Sequence, residues 1–135
     1  MKTPKKEKTY VLSISAGKGC YRHLKISSKA TLYDLHEEIL DAFNFIDDHA
    51  HVFFMNNHAW DDSAAYYCDF IDEAEYFTDD AKLEDFNLQK DDKFLYIFDF
   101  GEEWRFQIRV LREESAVVIA PEIIKAVGEP PIQYI

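Results

Sequence analysis

Asp47-Asp48-His49-Ala50-His51 is the stretch whose residue types could do chemistry most directly. Two imidazoles two positions apart share one face of a strand, a spacing found in some zinc sites. His36 stands upstream on a helical pattern, with the two aspartates between. A zinc ion needs three or four such ligands at about 2.0–2.2 Å, so His36, His49 and His51 are the metal candidates, and hydrolysis by a metal-bound water is what they would offer. The competing reading packs His36 on the helix flank and bonds the other two to backbone or acids around a helix-to-strand turn. The remaining chemistry is thinner. Cys20 and Cys68 have no histidine beside them in sequence and read as small buried thiols. Gly17-Lys18-Gly19 is too short for a phosphate-binding loop, and no Gly-x-Ser-x-Gly elbow occurs. The acid pairs Asp47-Asp48, Asp61-Asp62, Asp79-Asp80 and Asp91-Asp92 fall at chain reversals, where Asp accepts backbone N–H bonds. No catalytic residue and no cofactor is assigned.

A second cluster surrounds Asp99-Phe100-Gly101 in "YIFDFGEEWRFQI", residues 96–108. The triplet matches one kinase signature, yet the glycine-rich loop, strand lysine and catalytic-loop aspartate that must accompany it are missing. It reads instead as a hairpin loop. Gly101 is expected to supply positive φ, and Asp99 to hold the loop by bonding to N–H groups ahead of it. Arg22, Asp99, Trp104 and Arg105 form either a recognition patch on the sheet or a structural set, in which an Asp99–Arg pair pins one hairpin to the other and Trp104 fills core.

These residues need elements to position them. Residues 9–15 and 21–26 alternate in polarity around a glycine turn, a hairpin. Thr31-Leu32-Tyr33-Asp34 has the form of a capping box with Asp for Glu. Leu32, Leu35, Ile39, Ala42 and Phe43 then form a helical stripe. A third strand is expected over residues 51–55. Residues 56–79 have no clear period; a strand over 66–70 and a short helix from Asp79 or Asp80 through Phe86 are expected. Residues 94–98, apolar on both faces, and 104–110, wet on one face, form a second hairpin, followed by a tail. Trp60, Tyr66, Tyr67 and Tyr76 in the irregular segment are partner-binding candidates, since such rings concentrate at interface hot spots. The fold class is α+β: a single domain with a mixed or mostly antiparallel sheet of two β-hairpins plus additional strands, and a helix packed on one face, in β-grasp-like order. Residues 1–8 read as a basic flexible tail and 9–135 as the domain.

Composition bounds the function. The chain has 135 residues and a net charge of −11. Residues 1–30 carry eight Lys/Arg against one acid, and the other 105 carry seven against 25. That acidic body repels a phosphate backbone and suits a basic protein surface, so the expected partner is another protein. Nucleic acid is left to the basic N-terminus, as an accessory role. Two cysteines make no disulfide framework, which points to the cytoplasm. No apolar run approaches a membrane span.

"YIFDFGEEWRFQIRV" resembles the Tyr-Asp-Phe-Gly-Asp-x-Trp-Arg-His signature of the Ri-plasmid ORF-three-like family, some of whose members are labelled insertion-element passenger, resolvase-like proteins. "CYRHLKI" is similar to that family's Trp-Arg-Arg strand, "TLYDLHEEILDAFNF" to its Thr-Leu-x-x-Leu-His helix, "DDHAHVF" to its Asp-Asp-His-Leu-His-x-Phe run, and "KAVGEPPIQY" to a Gly-Glu-x-Pro-x-Gln-Tyr ending. Phe106 stands where the family usually has His, Tyr21 replaces Trp, and His23 replaces Arg. The resemblance implies a fold and a plasmid or transposon setting; it implies no reaction.

Overall fold

The computed structural model describes residues 5–134. Seven strands, β1 (Thr9–Gly17), β2 (Cys20–Ser27), β3 (His51–Phe54), β4 (Ala65–Tyr67), β5 (Lys93–Phe98), β6 (Trp104–Glu114) and β7 (Glu122–Val127), and one helix, α1 (Leu32–Ala42), follow in chain order, with α1 between β2 and β3. The strands lie side by side as β4-β3-β5-β6-β1-β2-β7. Every pairing between them is antiparallel. The fold is therefore α+β. The grasp-like order is an analogy from chain order, and the lateral order describes the sheet.

Thr31 caps α1: its hydroxyl accepts from Asp34 N–H at 3.0 Å and Asp34 accepts from Thr31 N–H at 2.9 Å. The helix buries Leu32, Leu35, His36, Ile39 and Leu40. Against them the sheet sets Leu12, Ile14, Leu24, Phe53, Tyr96, Phe106 and their neighbours, the main core. Alternation sends Val52, Phe54, Leu95 and Ile97 to the other face, where with Ala65 they form a second, smaller cluster. This is why β5, after the exposed Lys93, is apolar on both faces from Phe94 to Phe98: it lies inside the sheet with cover on both sides.

Three expectations change. The segment after Phe77 is not one helix capped by Asp79 or Asp80 but two short 3-10 helices, Thr78–Asp80 and Leu83–Phe86, the second closed by Asp85 accepting from Lys82 N–H at 2.9 Å. The strand in the irregular segment is short, Ala65–Tyr67. The tail contains β7, paired with β2. Its residues are exposed or half-buried, so an edge strand wet on both faces carries no alternation to read. Of the expected basic tail, residues 1–4 lie outside the described residues. Lys5 is bonded to Glu84 O and Asn87 Oδ1, and Lys8 to Glu113. No described helix is long and apolar enough to cross a membrane.

Candidate functional site

The loop from α1 to β3 carries Asp47, Asp48 and His49 into β3, where His51 takes the face turned to the helix, in line with Phe53. His36 comes from α1, and its ring stacks on His51 with centroids 3.7 Å apart. His36 Nε2 lies 3.0 Å from Asp47 Oδ2, and Nδ1 lies 2.5 Å from the hydroxyl of Tyr96 on β5. A carboxylate only accepts, so Nε2 carries the proton and Tyr96 O–H donates to Nδ1. Burial holds the pKa of His36 below its ordinary value against the pull of Asp47, and keeps the Tyr96 phenol from ionising. The chain Tyr96–His36–Asp47 is thus a neutral imidazole locked between a donor and an acceptor.

His51 Nε2 lies 2.9 Å from Thr78 Oγ1. Burial, with the neighbouring His36, pushes its pKa down to about 2, so it too is neutral at neutral pH. Both rings line a cleft of about 420 Å³, with Tyr33, Asp47, Asp69 and Phe70 around it. Cys68 is a further wall residue; burial pushes its thiol up, away from the reactive thiolate. Among the described residues no three His, Cys, Asp or Glu side chains are arranged to hold one metal ion. Of the metal candidates, His36 has both nitrogens engaged, and His49, which also lines the cleft, is bonded to Asp48.

His49 is the centre of a second knot. Its Nδ1 is 2.6 Å from Asp48 Oδ1 and 3.3 Å from the Tyr134 hydroxyl, and its Nε2 is 3.6 Å from Asp99 Oδ2. The hydrogen bond to Asp48 chiefly raises its pKa. Tyr134 O–H donates to Asp48 at 2.5 Å, and that bond pushes the phenol up to about 12. Gln133 clamps the same loop, accepting from Ile46 N–H at 2.7 Å and donating to Ile46 O at 3.1 Å. Three stretches distant in sequence, the Asp-Asp-His run, the Asp-Phe-Gly loop and the Gln-Tyr near the C-terminus, therefore meet at one imidazole.

The model of the family described as plasmid pRiA4b ORF-3-like protein matches residues 11–133. The chain belongs to this family. A solved structure of a protein of unknown function from Methanosarcina mazei Go1 is similar to it, with 25% identity, a TM-score of 0.72, and coverage of 90% of this chain and 71% of that one. A search of curated proteins found no match.

In this ORF-3-like chain the loop between β5 and β6 differs from the expectation about glycine. Positive φ falls on Asp99 (65°) and Glu103 (51°), not on Gly101. Asp tolerates that region better than most residues, and here its Oδ1 accepts from Gly101 N–H at 3.1 Å and Glu102 N–H at 3.2 Å. The loop closes through Glu103 N–H to Asp99 O at 2.6 Å. Among the described residues no Asp99–Arg pair forms. Arg22 is buried on the helix side, donating to the carbonyls of Tyr21, Ala42, Val127 and Gly128. Arg105 points to the opposite face and pairs with Glu103 at 3.0 Å. Trp104 is half-buried, edge-on to Phe45 with centroids 5.2 Å apart. Alternation along β6 sends Arg105 to the face away from Arg22 and Trp104, which both lie on the helix side, and Asp99 stays in its loop.

The aromatic candidates also divide. Trp60 lies edge-on to Phe54 and Phe100 on the face away from α1, where Tyr67 joins them. Tyr66 and Tyr76 lie tilted against each other with centroids 5.3 Å apart, and Tyr66 meets Phe86 edge-on, toward the main core. Trp60 is 42% exposed, holds a φ of 63°, and donates its Nε1–H to Glu103 at 3.1 Å. Sequence reading passed over Tyr96, Thr78, Tyr33 and Tyr134 as site residues. Alternation from Phe94 to Phe98 already turns Tyr96 inward; the others carry no local signal.

Proposed function

We propose that this plasmid ORF-3-like protein is a non-catalytic module that binds another protein, with Trp60 as the anchor of the contact. The observation that carries the reading is the state of Trp60: a large ring left 42% exposed, on a left-handed backbone that costs a bulky residue energy. A hydrogen bond and two edge-on rings keep it there. Exposed Trp and Tyr side chains concentrate binding energy. Tyr67 and Phe100 extend the patch, and the acidic body favours a basic partner. The family's plasmid name supports, as context, a partner from a mobile element.

A metal-dependent hydrolase acting through His36, His49 and His51 draws less support, because the nitrogens of His36 are both engaged and Cys68 is held as a thiol. A nucleic-acid accessory role draws less as well, since Lys5, Lys8 and Lys29 are bonded to acids or carbonyls of the chain itself. Affinity capture from native cytoplasm with the wild-type chain and Trp60→Ala tests the proposal. The expected result is at least one protein retained by the wild type and lost from the variant, at a melting temperature within about 3 °C. An identical captured set from both chains overturns it.

A further inference from the structure

We propose that the face of the sheet turned away from α1 binds single-stranded nucleic acid between β5 and β7; this goes beyond the protein-binding reading and does not depend on it. Strand pairing sets Lys93, Arg109, Ser13, His23 and Lys125 side by side, one from each of β5, β6, β1, β2 and β7. Directly paired residues share a face. It is the face opposite the main core, because the strand neighbours Leu12, Ile14, Leu24 and Ile108 pack into that core. Four interstrand spacings of about 4.8 Å give the row a length of about 19 Å. The next row, Gln107, Ser15, Tyr21 and Val127, sets a tyrosine ring beside His23, with centroids 5.3 Å apart.

The row is an island of positive charge on a chain of net charge −11. Lys93, Arg109 and Lys125 are exposed, and Lys93 and Lys125 form no ion pair among the described residues. Arg109 is paired with Asp91, and the neighbouring Arg112 and Lys25 with Glu114; Glu122, opposite Lys25, bounds the row. Surface pairs of this kind contribute little, so a phosphate can take the place of the carboxylate. The positive field persists beside them: after burial, Lys125, Arg109 and Arg112 lower the pKa of His23. Of the two anionic polymers that could lie here, the strand order favours nucleic acid. β6, β1 and β2 are each paired on both sides, so an acidic peptide crossing them finds no open backbone edge. A single strand carries its charge on its own backbone and lays bases on aromatic rings. Tyr and His are among the rings that take them, and Tyr21 and His23 stand half-buried among the cations, with Lys125 Nζ 5.7 Å from the Tyr21 centroid.

The test is fluorescence anisotropy of the full chain with labelled probes of about 12 units: oligo-dT, oligo-U, a phosphate backbone of the same length without bases, and an oligo-glutamate. Oligo-dT or oligo-U is expected to bind saturably, and the base-free backbone about five-fold more weakly or worse. With about three phosphates held by Lys93, Arg109 and Lys125, the slope of log affinity against log salt should be about −2. Lys93→Gln with Lys125→Gln, at two exposed positions, should bring it to about −0.7 and weaken binding at low salt. Tyr21→Leu should weaken binding about five-fold or more. By NMR the same titration should move the Tyr21 and His23 rings and raise the His23 pKa, as phosphate offsets the neighbouring cations. Equal binding of the base-free backbone, an unchanged salt slope in the double lysine variant, or no binding of either oligonucleotide overturns the proposal. Tighter binding of oligo-glutamate overturns it in favour of an acidic protein segment. Loss of binding in Lys5→Gln with Lys6→Gln, beside retention in the Lys93 and Lys125 variant, overturns it in favour of the N-terminus. Trp60 has no part in this titration, so its outcome and that of the capture experiment stand apart.

Discussion

Replacing Asp99 by alanine tests how the loop between β5 and β6 is held. The carboxylate accepts two backbone N–H bonds, from Gly101 and Glu102. Each is worth about 0.5–1.5 kcal/mol net. The residue sits at a φ of 65°, where a plain Cβ residue is penalised by about 1–2 kcal/mol, and aspartate offsets part of this by its local bonds. The loose approach of His49, at 3.6 Å and partly exposed, adds little. Asp99→Ala should therefore cost about 2–3 kcal/mol, lowering the melting temperature by about 6–12 °C for a chain of this size. Asp99→Asn keeps the accepting oxygen and the tolerance of left-handed backbone, so its cost should stay under about 1 kcal/mol. Asp99→Gly relieves the backbone but loses both bonds, and should fall between. Thermal and urea unfolding of the three variants, with unchanged urea slopes, give the ordering. An alanine variant that melts within about 1 °C of the wild type, or a glycine variant less stable than alanine, refutes the reasoning.

Stability should fall as the solution is acidified from pH 7 to 5. His51 is held near 2 and His36 is also lowered. Between the folded and unfolded values the unfolded chain binds more protons, so their contribution is full above the unfolded value of about 6.5 and declines below it, by about 1.4 kcal/mol per pH unit for His51 and in the same direction for His36. Urea midpoints that stay flat over that range, or a His51→Phe variant with the same slope as the wild type, contradict this. Arg22→Lys should cost about 2–3 kcal/mol and speed amide exchange in β7, because one ammonium cannot serve the four carbonyls that the guanidinium bridges; unchanged exchange in β7 counts against it. Gly128→Ala should loosen β7 at the sheet edge, since its Cβ would stand 2.1 Å from Gly19 O. Gly19→Ala, with open space at its Cβ but φ +81°, should cost only about 1–2 kcal/mol, and equal losses from the two changes would show that the clash is unimportant.

Local pattern carried most of the fold. Alternation in β1 and β2, the Thr31–Asp34 cap, the apolar stripe of α1 and the two-sided apolarity of β5 are properties of short windows, set by the periods of strand and helix. Family membership was legible too, because ordered short motifs survive without knowledge of their contacts. β7 was illegible: Glu122 to Val127 is wet on both faces, and its pairing with β2 depends on Gly128 approaching Gly19 and on Arg22 reaching the carbonyls of Val127 and Gly128. The short 3-10 helices from Thr78 to Phe86 were misread because acidic residues suit a helix start and a tight turn equally.

Residue type alone determined that this chain is acidic, aromatic-rich and α+β, and that His36, His49, His51 and Asp99 are its chemically notable side chains. Only tertiary structure decided which of them meet. The stack of His36 on His51, the bond to Tyr96 and the gathering of Asp48, Asp99 and Tyr134 at His49 join residues from separate elements. Strand register and helix placement set those distances, and both are outcomes of burying the whole core at once rather than of any local run of residues.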